Sequence, residues 1–270
     1  MTIKICIAGA TGWTGSAVTR AVLASDDFSL TGAVARTAEG RDIGEVLGLD
    51  AGTGVIVRSK LGEALEAPAD VLIDYTSSGA VKGHVFEAIG RGLAVVVGTS
   101  GLGAGDYDEI AAKAEAAGVG VIASGNFSLT ACLMQHLALI AANHVPQWEI
   151  IDYCSAGKED VPSGTARELA EKLAGVRQPE IGRPVASLHG PAEARGASID
   201  GVQVHSLRLP GFTLRCEAIF GMPGERLTVS HEAGPSAEPY VLGTLLAARK
   251  APGIKGLVRG LDALLFDQPS

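Results

Sequence analysis

The sequence predicts an α/β protein: a doubly wound parallel sheet joined to a smaller α+β domain built on an open mixed sheet. Three observations predict it. Short apolar runs without polar alternation recur through the first half of the chain, with helical segments between them, as expected of parallel strands buried on both faces. A glycine-rich turn, Gly9-Ala10-Thr11-Gly12-Trp13-Thr14-Gly15, joins the first of those runs to the first helical segment. From Val202 onward the pattern changes to alternation, VQVHSLRL, FTLRCEAIF and RLTVSH, which predicts antiparallel strands with one covered face.

The first strand is residues 3–8, with Cys6 a small core residue. The glycine turn then opens a helix over SAVTRAVLA. Backbone N–H groups in such a turn approach a pyrophosphate closely, and the positive end of the helix dipole favours its charge. The spacing G-x-x-G-x-x-G is a weak signal alone. Its strand–turn–helix setting makes a Rossmann-type dinucleotide site the expectation, through Gly9, Thr11, Gly12, Trp13 and Thr14. A glycine turn without a ligand is the alternative.

The second strand, residues 28–35, ends where NAD-selective folds carry Asp or Glu for the ribose hydroxyls. Here Ala35-Arg36-Thr37 offers a cation and a hydroxyl and no repelling carboxylate, which suits the extra phosphate of NADP. NADPH is the expected cofactor, with NADH the weaker alternative. Further strands are expected at residues 55–57, 71–76, 93–97 and 119–123, with helices over AVKGHVFEAIGR and YDEIAAKAEAA. Ligands of open α/β sheets bind along the carboxyl ends of the strands. Those ends carry Tyr75 and Thr76, then Gly98, Thr99 and Ser100, then Asn126 and Phe127.

Composition narrows the partners. Net charge is −8 and no Lys/Arg cluster stands out, which argues against nucleic acid and anionic membrane surfaces. No apolar run reaches the roughly 20 residues of a membrane span, and the first strand starts at once, leaving no room for a signal peptide. The 4 cysteines form no C-x-x-C pair. A cytoplasmic, reduced, metal-free protein acting on a small molecule is the expectation.

The second half opens with an apolar helix over residues 129–144, capped by Ser128, and a strand over residues 148–153. That strand loosens into a polar loop around Gly157 and Lys158. Pro162 stiffens the loop, and Ser163-Gly164-Thr165 opens the helix ARELAEKLA. Free N–H groups and the dipole face the loop beside one ammonium, a setting for a carboxylate or phosphate. Thr165 with Glu168 also reads as a T-x-x-E capping box, which accounts for Thr165 without any ligand. About 25 residues rich in Pro, Gly and Ala follow as a loop, before the alternating strands.

K-x-D-x-P-S-G-T-A, Lys158 to Ala166, after the strand Glu149-Ile150-Ile151, resembles the signature of 4-hydroxy-tetrahydrodipicolinate (dihydrodipicolinate) reductases, enzymes of lysine and diaminopimelate synthesis. Residues 74–76, 98–101 and 126–128 resemble that family's D-F-T, G-T-T-G and N-F-S elements, which line its nicotinamide pocket. The resemblance implies two domains: residues 1–127 with 237–270 for the dinucleotide, and residues 128–236 for substrate and for assembly into a homotetramer. It implies hydride transfer to an imine-type carbon, with Lys158 as cationic anchor or acid and Ser163, Gly164 and Thr165 cradling a carboxylate.

The departures are equally specific. The family places two adjacent histidines where this chain has Cys154 and Ser155, G-E-H where it has Leu214-Arg215-Cys216, and a basic residue in the glycine loop where it has Trp13. A thiol is a weak acid, and a serine hydroxyl weaker, so Cys154 and Ser155 do not reproduce an imidazolium. Lys158 or water then supplies the proton, or the substrate is another imine or carbonyl compound. Authentic 4-hydroxy-tetrahydrodipicolinate reduction is one alternative, and a non-catalytic NADPH sensor another. Semialdehyde dehydrogenases share the glycine turn, but nothing around Cys132 supports a nucleophile. Short-chain dehydrogenases need Tyr-x-x-x-Lys, and no tyrosine here has it.

Overall fold

The structure is a computed structural model and describes residues 2–266. In chain order its elements are β1 (Ile3–Ala8), α1 (Trp13–Leu23), β2 (Phe28–Val34), α2 (Ile43–Val46), β3 (Val57–Arg58), α3 (Leu61–Ala64), β4 (Val71–Asp74), α4 (Ser78–Gly90), β5 (Ala94–Val97), α5 (Ala104–Ala117) and β6 (Gly120–Ala123). Then come α6 (Leu129–His144), β7 (Gln147–Cys154), α7 (Gly164–Val176), β8 (Ala197–Ile199), β9 (Val202–Arg208), β10 (Leu214–Met222), β11 (Glu225–Ala233), α8 (Glu238–Lys250), β12 (Gly256–Arg259) and α9 (Asp262–Leu265). They fall into two compact units. One holds the chain up to Leu129 together with the chain from Ala237 onward, and the other holds Thr130–Ser236.

The first unit is a seven-stranded sheet in the order β12-β6-β5-β4-β1-β2-β3, every neighbouring pair parallel. β4, β5 and β6 are buried at every residue, which is why their sequences are unbroken apolar runs rather than alternating ones. The order reverses between β1 and β4, and the crevice outside that reversal is where such sheets hold ligands. Ala8 and Asp74, the last residues of the two strands, are register partners. The chain therefore leaves both strands side by side, with Tyr75 N–H bonded to the Ala8 carbonyl at 2.9 Å. The third strand is shorter than the apolar run predicts: Ile56 makes only an isolated bridge to Asp42, and pairing with β2 starts at Val57.

The second unit carries a five-stranded sheet in the order β11-β10-β7-β9-β8. It is mixed, but the alternating strands are not all antiparallel: β9 pairs parallel with β7, while β10 pairs antiparallel with it. Alternation reports one buried face, whereas the direction of β9 follows from its connection to β7, a crossover that includes α7. The expected long loop is also partly ordered, because β8 adds to the edge of β9 through Ala197–Ile199. Helices α6 and α7 cover one face of this sheet. Leu169 and Leu173 of α7 pack with Ile150, Val204, Cys216 and Phe220, all buried. Burial of each leucine is worth about 1.5–3 kcal/mol. The opposite face carries no α-helix of this unit, and parts of segment 179–195 lie beside it. There Glu149 pairs with Arg195 and with His205 Nε2, the latter at 2.7 Å, beside a cavity of about 610 Å³ whose lining includes Ile151, Ile181 and Ile219.

Candidate active site

In the first unit the glycine turn follows β1. Gly9 adopts φ +84°, and a side chain there would meet the Tyr75 carbonyl oxygen at 2.2 Å; one at Gly15 would meet the Gly9 carbonyl oxygen at 1.9 Å. Glycine is thus required for the turn to lie against the end of β4. Helix α1 starts behind it with Gly12 as its N-cap, no side-chain cap and no acidic residue in the first turn. Its leading N–H groups and dipole therefore favour an anion. A cleft of about 300 Å³ opens here, lined by Gly9, Thr11, Gly12, Arg36, Thr37 and Thr76 among the candidate residues. Ser59, Ser77 and His84 line it too, and no sequence signal marked them.

The remaining cofactor candidates lie outside the lining of this cleft. Trp13 is 58% exposed and edge-on to Tyr240, with ring centroids 5.8 Å apart. Tyr75 bonds Thr244 Oγ1 at 2.6 Å and stands edge-on to Phe127, while the missing side chain of Gly98 makes room for its ring. Thr99 is buried and donates to Asp74 Oδ1 at 2.6 Å. Asn126 Oδ1 accepts the Ser128 N–H at 2.8 Å. Thr14 is half-buried in the first turn of α1, and Ser100 is exposed.

In the second unit the hub is Asp152, which sequence reading passed over. Its carboxylate is fully buried and accepts from Ser163 N–H at 2.9 Å, Ser163 Oγ at 2.6 Å and Arg208 Nη2 at 2.8 Å. Burial works to raise its pKa, yet the Ser163 donors and the Arg208 charge outweigh that and hold it below the ordinary carboxylate range. Arg208 also donates to the Asp160 carbonyl at 2.6 Å. The sequence signal was present: an acid inside an apolar strand needs partners.

Ser163, not Thr165, caps α7. Its Oγ accepts the Ala166 N–H at 3.4 Å, while Glu168 pairs with Lys172 at 3.0 Å instead of turning back to the helix start. The expected Thr165–Glu168 capping box is therefore displaced, because the helix begins two residues earlier, at Gly164. Lys158 is about one-third exposed, with Nζ 2.8 Å from Asp160 Oδ1. Burial would raise the Asp160 pKa, but Lys158 and the Gly164 N–H lower it overall. Ser155 is exposed, and its carbonyl accepts the Lys158 N–H at 3.1 Å. Cys154 points the other way. It is fully buried, its Sγ lies 3.6 Å from Asp152 Oδ1, and burial first, then the Asp152 charge, push its thiol up. It is a closed-off neutral group, not an acid facing the loop.

A cleft at the reversal of a sheet ordered 3-2-1-4-5-6, with a glycine turn on one side, is built for a dinucleotide. Taken with the relatives below, it defines an NAD(P)H-dependent oxidoreductase. Family models described as dihydrodipicolinate reductase, N-terminus, and dihydrodipicolinate reductase, C-terminus, match residues 3–127 and 129–265. The 4-hydroxy-tetrahydrodipicolinate reductase of Moorella thermoacetica is 39% identical over 270 residues, covering 98% of each chain. That of Desulfitobacterium hafniense is 37% identical over 97% of this chain and 98% of the relative. The chain belongs to the dihydrodipicolinate reductase family.

Among solved structures, a dipicolinate-bound dihydrodipicolinate reductase from Paenisporosarcina sp. TG-14 aligns with a TM-score of 0.82 at 29% identity, over 97% of this chain and 99% of that one. An amine dehydrogenase from Mycobacterium smegmatis shares the fold, with a TM-score of 0.69 at 16% identity over 97% and 96%. No helix among the described residues is long and apolar enough to cross a membrane.

Proposed function

We propose that this protein is a cytoplasmic NADPH-dependent reductase of a C=N or related carbonyl bond in a small carboxylated substrate. The unit around β1 to β6 is its dinucleotide domain and Thr130–Ser236 its substrate and assembly domain. One observation carries the substrate reading: Lys158 Nζ already holds a carboxylate, that of Asp160, at 2.8 Å in the loop that leads to the head of α7. A substrate carboxylate would be held by Lys158 together with the Ser163-Gly164-Thr165 turn, Ser163 fixing the helix start. NADPH when bound would supply the hydride. Lys158 would place its ammonium beside the group being reduced, and it or a water donates the proton that the nitrogen or oxygen takes up.

NADPH is favoured over NADH because Arg36 and Thr37 face the cleft and Ala35 brings no carboxylate. The residues present fit a phosphate-bearing dinucleotide: a turn no side chain could enter, an uncapped helix start and a guanidinium. A homotetramer is proposed because the face of the five-stranded sheet away from α6 and α7 presents Ile151 and Ile219 to a large cavity.

The second reading is authentic reduction of 4-hydroxy-tetrahydrodipicolinate in lysine and diaminopimelate synthesis. It is supported by relatives of that name matching over nearly the whole length. Against it stand Cys154 and Ser155, one buried and one a hydroxyl, where an imidazolium is expected. NADPH oxidation against 4-hydroxy-tetrahydrodipicolinate, monocarboxylate cyclic imines and keto acids with ammonia separates them. Turnover of a monocarboxylate above the dicarboxylate supports the first reading, and the reverse supports the second. No oxidation of NADPH with any compound rejects both.

A further inference from the structure

Asp74, the last residue of β4, is wholly buried and its two oxygens divide their partners. Oδ1 accepts Thr76 N–H at 3.0 Å, Thr76 Oγ1 at 2.7 Å and Thr99 Oγ1 at 2.6 Å. These bonds fix the turn after β4 and tie it to the end of β5. Oδ2 meets a different group, His84 Nδ1 of α4, at 2.8 Å. His84 is 21% exposed by its side chain and lines the dinucleotide cleft. A carboxylate cannot donate, so a neutral imidazole must place its proton on Nδ1 to satisfy Oδ2. Nε2 then carries a lone pair and is the ring nitrogen left for the cleft.

We infer that Asp74 is a positioning residue for the dinucleotide site: it locks His84 in the Nδ1–H tautomer, so that Nε2 accepts a hydrogen bond from a hydroxyl or amine of the bound dinucleotide. The inference rests on the proposed dinucleotide reading of this cleft. It also assigns His84 a role that its place inside the helical segment AVKGHVFEAIGR did not suggest.

Asp74→Asn separates the two oxygens. Its amide oxygen can keep the Thr76 and Thr99 donors, while its NH₂ group faces His84 and drives the ring proton to Nε2. The experiment uses the full chain as wild type, Asp74→Asn, His84→Ala and the double variant, with fluorescence titration of NADPH and NADH. ¹⁵N-histidine NMR of wild type and Asp74→Asn reports the tautomer. The expected result is a proton on Nδ1 in wild type, moved to Nε2 in Asp74→Asn. Each single variant should weaken binding roughly three- to tenfold, as for loss of one hydrogen bond, and the double variant should be no weaker than His84→Ala.

A wild-type proton on Nε2 overturns the inference, whether or not Asp74→Asn folds. So do losses that add in the double variant, or unchanged affinity in His84→Ala. Wild type binding neither dinucleotide overturns the cofactor reading as well, whereas wild type binding with His84→Ala unaffected leaves that reading intact and removes only this one.

Discussion

Ser163 Oγ donates to Asp152 Oδ1 at 2.6 Å, and the same hydroxyl caps α7. One side chain therefore ties the head of the helix to the end of the central strand, and holds the Lys158 loop between them. Removing Asp152 should cost stability because it leaves the Arg208 guanidinium, only 15% exposed, without its charge partner. Asp152→Ala is expected to lower unfolding free energy by about 3–5 kcal/mol, the scale of a broken buried pair. Denaturant unfolding measures it, and a loss under 1 kcal/mol ~ the level of an exposed pair would remove Asp152 as the hub.

The lowered Asp152 pKa also sets a pH dependence. A carboxyl whose native pKa lies below its unfolded value contributes fully above the unfolded value, near 4 on the reference scale, and loses that contribution as pH falls through the native one. The acid limb of the stability curve should therefore flatten in Asp152→Asn, relative to wild type.

His231 acts in a higher window. It is 4% exposed, its Nδ1 lies 3.1 Å from Thr130 Oγ1, and burial lowers its pKa despite the Glu232 charge. A histidine with a lowered native pKa contributes most above its unfolded pKa, about 6.5, because the unfolded chain takes up the proton first. Stability should fall as pH drops below that value, then level off once native His231 also protonates. Urea midpoints between pH 7.5 and 5 check this on the scale of the reference pKa (about 6.5); His231→Gln should reduce the slope.

Cofactor preference tests Arg36. Wild type should bind NADPH about tenfold or more tightly than NADH, from a charged contact worth roughly 1.5–3 kcal/mol. Arg36→Ala should lose most of that difference while its NADH affinity stays the same. Equal affinities in wild type would reject the assignment.

Catalytic roles divide at the β7 loop. Lys158→Ala should depress turnover by about 10²–10⁴, the range of a lost general acid, with NADPH affinity unchanged. Cys154→Ala should leave turnover close to wild type and cost about 1 kcal/mol of stability, since the thiol is a buried core group. Comparable rate losses in both variants would show the thiol to take part.

Assembly is checked by light scattering at micromolar concentration. A tetramer mass supports burial of the sheet face away from α6 and α7, and a monomer mass discards it.

Sequence by itself determined the class of fold and most of the first unit. Unbroken apolar runs report strands buried on both faces, and a glycine turn between strand and helix reports close backbone approach, so both were legible without coordinates. Arg36 and Thr37 line the cleft at the end of β2, a place whose distance from the turn is fixed by the βαβ unit. Tertiary structure alone decided what depends on facing. Cys154 and Ser155 are neighbours in the chain, yet alternate along it, so one is buried and the other exposed. The direction of β9 and the partnership of Asp152 with Ser163 and Arg208 join residues 11 and 56 positions apart in the chain, or pair whole strands. His84 likewise gained its place in the cleft from the packing of α4 against β4. Local pattern reports which side chains are buried, but a buried charge selects its partner in space, after the chain has folded.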